Sequence, residues 1–352
     1  MNMQTAPLNI LLIKMRYIGD VILTTPLLKS LKNGLPGAKI DMLVNLGTES
    51  VLDDHPCADR VYAFDYTLAK KKPIRSLRLM AALRQQKYDT VIDLTGNDRS
   101  ALFTFLSAAP LRIGYAGDRR LRNRLVYHRE IDSVLGSIHT VDHHLRAAEI
   151  LGLPPADIHP CIHVSMQKAE RMEKFLSQQG LKADQDFVII HPGARRPYKS
   201  WPRERFAVLG DEIIRKYRIP IILSGSRGDR EICAEIAGRM KETPLNLAGK
   251  VSLSDLPALI AESRCLIGND SAPIHIATAV KTPLVALFGP TKWEAWAPRR
   301  EQDTVLAAEF PCRPCGHSRF QCPLGDQYCM SEIAFDSVRD AVEKIMESGI
   351  QG

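Results

Sequence analysis

Short apolar runs alternate with amphipathic stretches along the whole chain, and this alternation predicts strands followed by helices. Buried strands are expected at residues 9–14, 39–44, 90–94, 112–115, 187–191, 220–224, 265–268 and 284–288. Helices are expected at residues 21–34, 74–86, 143–151, 167–179, 203–217, 230–240 and 337–347. Such alternation predicts parallel sheets covered by helices on both faces, which is an α/β fold.

The alternation is interrupted once, by a proline-rich connector at residues 152–160. A chain of 352 residues is also long enough for two domains. We therefore expect two doubly wound, Rossmann-like domains, at 1–165 and 166–335, followed by a final segment at 336–352. Neither half contains GxGxxG, so a dinucleotide oxidoreductase is poorly supported. Two such domains in tandem typically bind a ligand in the cleft between them.

The composition is that of an ordinary globular chain, with 45% hydrophobic and 25% charged residues. No apolar run approaches a membrane span, and we expect no signal peptide. The net charge of +7 is concentrated between Thr67 and Glu130, where 14 Lys or Arg face 5 Asp or Glu. A basic stretch attracts phosphates on nucleic acid, membranes or acidic glycolipids, although a solvated face has the same composition. No nucleic-acid-reading motif is present, so we expect no nucleic-acid partner.

The segment Gly268–His275 carries the strongest signal, because it joins a buried strand to a helix with Pro273 in its first turn. The first N–H groups of a helix have no internal partners, and the helix dipole makes that end positive. Small residues there allow a phosphate to approach those N–H groups. The other interpretation is an ordinary helix cap formed by Asp270 or Ser271.

Two further loops of the second half follow strands and carry charge. The loop at 191–202 contains Arg195, Arg196 and Lys199, which can bind a phosphate by bidentate contact or as a point charge. The loop at 224–231 contains Asp229 and Glu231, either of which could accept hydrogen bonds from ribose hydroxyls. A helix cap is the alternative for the latter loop.

In the first half, the loop after the first strand ends in Gly19 and Asp20. Gly19 would permit a tight turn and close approach of a ligand. A carboxylate at Asp20 can act as a general base toward a hydroxyl, or can simply cap the helix.

Four segments together resemble glycosyltransferase family 9, the ADP-heptose:lipopolysaccharide heptosyltransferases. They read KMRYIGDVILTTPLL from Lys14, HPGARRPYKSWP from His191, LAGKVSLSDL from Leu247 and GNDSAPIHIATAVKTPLVALFGPT from Gly268. The resemblance implies a GT-B fold, in which two Rossmann-like domains face each other across a cleft. It implies an N-terminal acceptor domain, a C-terminal nucleotide-sugar domain and a last helix that crosses back to the first domain.

The implied reaction is an inverting, metal-independent transfer of heptose from ADP-heptose to the lipopolysaccharide inner core. No cofactor is implied for catalysis. The implied partners are the ADP-sugar donor and the lipopolysaccharide core glycolipid. The implied location is cytoplasmic, peripheral at the cytoplasmic face of the inner membrane.

The resemblance also implies roles for individual residues. Asp20 resembles the catalytic base, and Lys199 resembles the lysine that neutralises the departing ADP. Acceptor-binding positions are Lys14, Arg16 and Gly19. Donor-binding positions are Arg195, Arg196, Asp229, Glu231, Val251, Asp270, Ser271, Ala272, Pro273 and His275.

Four of the eight cysteines cluster near the C-terminus, at Cys312, Cys315, Cys322 and Cys329. The Cys-x2-Cys spacing suits a structural zinc, but the later spacings are loose for a standard finger. Reduced thiols or disulfides are the alternatives.

Three other functions remain open from the sequence. They are a related transferase for another nucleotide sugar, a GT-B-fold sugar-nucleotide epimerase, and a sugar-nucleotide-binding protein without catalysis.

Overall fold

A computed structural model describes residues 8–71, 73–115, 125–132, 136–182, 184–308, 310, 312, 315 and 328–348. The chain divides into two compact units, at 1–163 and 164–352. This division lies within two residues of the predicted boundary at 165. In the described residues, no helix is both long enough and apolar enough to cross a bilayer.

The first unit is built on a six-stranded parallel sheet. Its strands are β1 (Asn9–Lys14), β2 (Lys39–Asn45), β3 (Arg60–Phe64), β4 (Thr90–Asp93), β5 (Leu111–Tyr115) and β6 (Arg129–Ile131). Its described helices are α1 (Ile18–Ile22), α2 (Thr25–Gly34), α3 (Tyr66–Lys71), α4 (Pro73–Gln85), α5 (Asp98–Leu106) and α6 (Thr140–Ile150). The strand order is β3-β2-β1-β4-β5-β6, which is that of a Rossmann fold.

The second unit repeats this arrangement. Its strands are β7 (Val188–His191), β8 (Ile221–Leu223), β9 (Leu245–Asn246), β10 (Cys265–Asn269), β11 (Leu284–Phe288) and β12 (Thr304–Ala307). Its described helices are α7 (Met166–Gln178), α8 (Arg203–Tyr217), α9 (Arg230–Arg239), α10 (Leu256–Ala261), α11 (Ala272–Ala279), α12 (Tyr328–Ser331) and α13 (Phe335–Ser348). The order β9-β8-β7-β10-β11-β12 matches the first sheet strand for strand.

The central strands have the sequences that burial on both faces requires. β10 and β11 are buried at every position, and in β1 only Asn9 is not. Continuous apolar runs are typical of parallel strands covered by helices on both sides. The predicted α/β fold with two Rossmann-like sheets is therefore confirmed.

The final helix, α13, buries one apolar face in the second unit. Val338, Val342 and Met346 belong to the same core cluster as Ile267 of β10 and Val285 of β11. The predicted crossing of the segment 336–352 to the N-terminal domain stays a prediction.

Candidate active site

In each parallel sheet the order of the strands switches sides between two neighbouring strands, β1 and β4 in the first sheet and β7 and β10 in the second. In open α/β sheets, ligands bind outside the carboxyl ends of the strands at this point. The sequence-predicted loops begin at Lys14 at the end of β1, at His191 at the end of β7 and at Asn269 at the end of β10. Each unit therefore carries its candidate residues at its own switch point.

Asp20 lies in the first turn of α1, and Tyr17 occupies the N-cap position. Asp20 is therefore not the N-cap residue. Its side chain is 17% exposed, and its Oδ1 lies 3.7 Å from Nζ of Lys14. A partly exposed carboxylate can be reached by a ligand hydroxyl and can accept its proton.

Lys14 is buried below this carboxylate, with 5% of its surface exposed. Its ammonium donates to the carbonyl oxygen of Leu94 over 3.0 Å and lies 3.0 Å from Nε2 of His144. Burial lowers the pKa of Lys14 to about 8, against the opposing attraction of Asp20. The lysine is thus held by the protein from several sides, and its nearest carboxylate is Asp20.

The loop between β1 and α1 is fastened to the end of β4. The backbone N–H of Met15 donates to Oγ1 of Thr95 over 2.7 Å, and Arg16 Nη2 donates to the Thr95 carbonyl over 3.1 Å.

Gly19 was expected to form a tight turn before the helix, and this expectation is wrong. The helix begins at Ile18, so Gly19 lies inside α1. Acceptor binding by Lys14, Arg16 and Gly19 stays a prediction.

In the second unit, the loop after β7 meets the end of β10 through a lysine–aspartate pair. Lys199 closes a short 3-10 turn, and its Nζ lies 2.5 Å from Oδ2 of Asp270. The same oxygen accepts the hydroxyl of Thr291 over 2.5 Å. Asp270 is therefore engaged by side chains from two other loops and does not act as a helix cap.

Asn269 fixes the loop that carries Lys199. Its Oδ1 accepts from the backbone N–H of Trp201 over 3.0 Å, and its Nδ2 donates to the carbonyl of Pro192 over 2.8 Å. Trp201 is fully buried, and its Nε1 donates to the carbonyl of Ile333 over 3.0 Å. Both ends of the loop are thus anchored, so the position of Lys199 is set by the core.

The start of α11 has the features that the sequence predicted. Ser271 is the N-cap residue, yet its side chain makes no capping hydrogen bond and its hydroxyl donates instead to the carbonyl of Asn269. Ala272 and Pro273 form the first turn, and His275 is buried. A helix start without a side-chain cap, next to Lys199, is suited to an anion.

The loop after β8 brings Asp229, but not Glu231, toward the same region. A Cβ at Gly193 would lie 2.6 Å from Cγ of Asp229, so the loop after β7 passes directly against this carboxylate. Asp229 Oδ2 also accepts from the N–H and the hydroxyl of Ser226, over 2.7 and 2.6 Å. Glu231 lies on the exposed surface of α9.

The remaining donor-binding predictions differ in exposure. Arg195 is exposed, whereas Arg196 and Val251 are half-buried.

A ring nitrogen of His191, at the end of β7, lies 2.9 Å from Oγ of Ser224, and burial lowers the pKa of His191 to about 4. A neutral imidazole at this strand end adds no charge to the site.

The predicted cysteine site is only partly described. Cys322 lies outside the described residues, as does the basic run at 116–124. Cys312 is an exposed free thiol, and the described part of the chain contains no group of three metal-binding side chains. The zinc site stays a prediction.

Three side chains at these sites were missed from the sequence: Thr95, His144 and Thr291. Thr291 lies three residues past the end of β11, so the rule that strand ends carry function could have found it. His144 is 130 residues from Lys14 along the chain and gave no local signal.

Comparison with known proteins agrees with this reading. A family model described as glycosyltransferase family 9 (heptosyltransferase) matches residues 76–324. Lipopolysaccharide heptosyltransferase 3 of Escherichia coli is 31% identical over 347 residues, covering 96% of this chain and 99% of the relative. Lipooligosaccharide heptosyltransferase 2 of Haemophilus influenzae is 29% identical, covering 85% and 88%.

Solved structures show the same fold. A glycosyltransferase family 9 protein from Veillonella parvula superposes with a TM-score of 0.82 at 24% identity, covering 97% of both chains. The Escherichia coli ADP-heptose lipopolysaccharide heptosyltransferase II superposes with a TM-score of 0.79 at 22% identity, covering 97% and 99%. The GT-B class predicted for the fold is confirmed. By its family model and its similarity to a relative over nearly the whole length, the chain belongs to glycosyltransferase family 9 and is a glycosyltransferase.

Proposed function

We propose that the protein transfers heptose from ADP-heptose to the inner core of lipopolysaccharide, with inversion at the anomeric carbon and without a metal ion. The observation that carries the proposal is the pair formed by Lys199 and Asp270 beside the start of α11. The phosphates of a nucleotide sugar need positive charge, which Lys199 and the helix start can supply. Its sugar hydroxyls need an acceptor, which the carboxylate of Asp270 can supply from the neighbouring strand end. The similarity to lipopolysaccharide heptosyltransferases supports heptose as that sugar.

The second unit would bind the donor. The diphosphate takes the place of Asp270 as partner of the Lys199 ammonium, and Asp270 is then free to accept hydrogen bonds from heptose hydroxyls. Arg195, Arg196, Ser271 and Ala272 line the phosphate side, and Asp229 accepts from the ribose. Pro273 and His275 hold the first turn of α11 in place, and Val251 contacts the nucleotide.

The first unit would bind the acceptor and supply the base. The acceptor oxygen forms its bond to the anomeric carbon as the bond from that carbon to the ADP oxygen breaks. The hydroxyl proton goes to the carboxylate of Asp20, and the electron pair of the broken bond stays on ADP. One displacement from the opposite face inverts the configuration.

The proposed metal independence is supported by the groups that can balance the charge on ADP. Lys199 and the backbone N–H groups at the start of α11 stabilise the negative charge that develops on the leaving group. A preorganised cation and oriented dipoles can supply this stabilisation without a divalent ion.

The acceptor chemistry agrees with the charge of the first unit. The described part of the basic stretch includes Arg78, Arg84, Arg99 and Arg112. Positive charge attracts a phosphorylated glycolipid at an anionic membrane surface. We therefore propose that the enzyme works in peripheral contact with the cytoplasmic face of the inner membrane.

The direct test is a transfer assay with purified protein, ADP-heptose and a lipopolysaccharide acceptor that lacks the next heptose. We expect stoichiometric release of ADP, a mass increase of one heptose on the acceptor and an inverted anomeric configuration by NMR. The rate should be unchanged in excess EDTA. Equal rates with UDP- or GDP-sugars would favour another nucleotide sugar. An epimerised sugar formed without acceptor would identify an epimerase, and sugar-nucleotide binding without turnover would contradict catalysis.

A further inference from the structure

A buried histidine in the first unit connects the candidate base to the core. His144 lies on α6 and is 1% exposed. Its Nδ1 lies 2.9 Å from the carbonyl oxygen of Leu23, and its Nε2 lies 3.0 Å from Nζ of Lys14. Leu23 is the C-cap residue of α1, the helix that carries Asp20. One imidazole therefore contacts both the end of the helix of Asp20 and the ammonium beside Asp20.

The two contacts determine the tautomer. A carbonyl oxygen can only accept, so Nδ1 carries the proton and donates to Leu23. A lysine ammonium can only donate, so Nε2 must offer its lone pair to Lys14. A doubly protonated ring would point an N–H group at the ammonium, which is unfavourable in a buried site. Burial and the Lys14 charge accordingly hold the pKa of His144 well below its usual range.

We propose that His144 is a positioning residue for the catalytic base: it accepts a hydrogen bond from Lys14 and thereby aims the ammonium at Asp20. This inference rests on the proposed function, because it needs Asp20 as the base.

The directions of the Lys14 hydrogen bonds support this role. An ammonium has three N–H groups. One is directed to the Leu94 carbonyl at the end of β4 and one to His144 on α6. The third direction is left for Asp20, 3.7 Å away. With the first two directions fixed by buried groups, the ammonium cannot rotate away, and the carboxylate has a fixed cation beside it.

The helix that carries His144 is well anchored. The N-cap residue of α6 is His139, whose Nδ1 accepts from the backbone N–H of Val141 over 3.2 Å. The neighbouring ring of His143 stacks on Tyr115 with ring centroids 4.1 Å apart. Substitution of His144 alone should therefore leave α6 folded.

The charged and titratable groups that face Lys14 come from four places. They are Asp20 on α1, Asp93 at the end of β4, Arg16 on the adjoining loop, and both His143 and His144 on α6. Of these, only His144 offers a neutral acceptor at hydrogen-bond distance. Removing this acceptor makes the buried ammonium easier to deprotonate, since a hydrogen bond to the charged form stabilises it.

The test compares His144→Leu, which removes both contacts, with His144→Gln, whose amide can both accept and donate. His143→Leu is the matched control, because it removes a buried imidazole of the same helix that bonds to the Asp132 carbonyl and not to Lys14. We expect His144→Leu to lower kcat about 10- to 100-fold by misplacing the base. ADP affinity and the KM for ADP-heptose should stay unchanged.

The pH profile separates positioning from general packing. In His144→Leu the alkaline limb of the kcat profile should move to lower pH by about one unit, because Lys14 loses its proton more easily. His144→Gln should restore both kcat and the limb, and His143→Leu should leave the limb in place. A kcat within twofold of wild type for His144→Leu would overturn the inference. A lower kcat that His144→Gln does not restore would also overturn it. So would a lower kcat in His144→Leu that is accompanied by weaker ADP binding.

A readout independent of catalysis keeps the two proposals distinguishable. In 15N-histidine-labelled protein, with the signal assigned by its loss in His144→Gln, we expect a neutral ring protonated at Nδ1 at neutral pH. An Nε2-protonated or doubly protonated ring would overturn the inference even if transfer is observed. A wild-type protein with the expected tautomer but no heptosyl transfer would overturn the proposed function. The hydrogen bonds of His144 would then have no role in this reaction.

Discussion

Oδ2 of Asp270 lies 2.5 Å from Nζ of Lys199 and accepts the Thr291 hydroxyl at the same distance. The three residues follow β10, β7 and β11, which are neighbours in the sheet. The lysine proposed to stabilise ADP is thus held by the carboxylate proposed to bind heptose. Donor binding would separate the pair and give each side chain its own ligand.

Replacing Lys199 tests the leaving-group role. We expect Lys199→Met to lower kcat about 100- to 1000-fold, because an electrostatic contact to the developing charge is lost. The measurement is steady-state ADP release with acceptor present. Lys241→Met, at an exposed lysine of the same unit, is the control and should keep wild-type rates. A Lys199→Met enzyme with unchanged kcat would show that the charge on ADP is stabilised elsewhere.

Thr291 offers a finer test of the same cluster. Thr291→Val removes the hydroxyl and keeps the shape, so Asp270 loses one donor and its position loosens. A hydrogen bond to a charged group contributes about 1.5–3 kcal/mol, so kcat/KM for ADP-heptose should fall roughly 10- to 100-fold. Thr291→Ser, which keeps the hydroxyl, should retain most of the activity. Loss of activity in Thr291→Ser, with activity kept in Thr291→Val, would indicate instead a packing role for the methyl group.

The ribose contact can be assigned by comparing two acids that the sequence could not separate. Asp229 lies against Gly193, whereas Glu231 is exposed on α9. We expect Asp229→Asn to raise the KM for ADP-heptose about tenfold and Glu231→Gln to leave it unchanged. Because Asp229 also accepts from Ser226, the melting temperature of each variant must be measured beside the kinetics. The reverse ranking would assign the ribose to Glu231.

Most of the fold could be predicted from the sequence, and the strands that were missed share one property. The central strands were expected within two residues, because burial on both faces leaves continuous apolar runs. All four outer strands, β3, β6, β9 and β12, were missed. Each is short or only half-buried, so its sequence has no such run.

One predicted helix, at 21–34, is two helices, and this prediction was wrong for a local reason. The break falls at Leu23 and Thr24, just before Thr25 and Pro26 begin the second helix. The Thr24 and Thr25 hydroxyls donate to the carbonyls of Val21 and Ile22 over 2.7 Å each, which competes with the helical pattern. Proline has no N–H to continue the ladder. The second helix therefore starts afresh, with Pro26 in its first turn.

For the site, the sequence predicted residues that lie at strand ends, and it missed partners that only the fold brings together. Lys199 and Asp270 follow neighbouring strands, so their pairing agrees with the parallel order. The contact between Lys14 and His144 joins β1 to the last helix of the first unit, and no sequence pattern links them. Long-range contacts of this kind depend on packing rather than on spacing.

The buried charge of Lys14 predicts an unusual pH dependence of stability. Its pKa in the folded protein is about 8, against 10.5 for an exposed lysine. Between these values the unfolded chain binds more protons than the folded protein, so the Lys14 contribution to stability rises with pH. The full gain is about 3 kcal/mol. In urea unfolding from pH ~7 to pH ~10, the free energy of unfolding of wild type should rise relative to that of Lys14→Met. A constant difference between the two proteins would contradict the low pKa.

The most direct test of the whole account is the separation of binding from transfer in Asp20→Asn, which keeps the shape of the base and removes its charge. ADP-heptose should raise the melting temperature of this variant as much as that of wild type, since donor binding depends on the second unit. Transfer of heptose to the lipopolysaccharide acceptor should fall by about 100- to 10,000-fold. Wild-type transfer by Asp20→Asn would contradict the account, and so would a loss of transfer that is matched by a loss of donor binding.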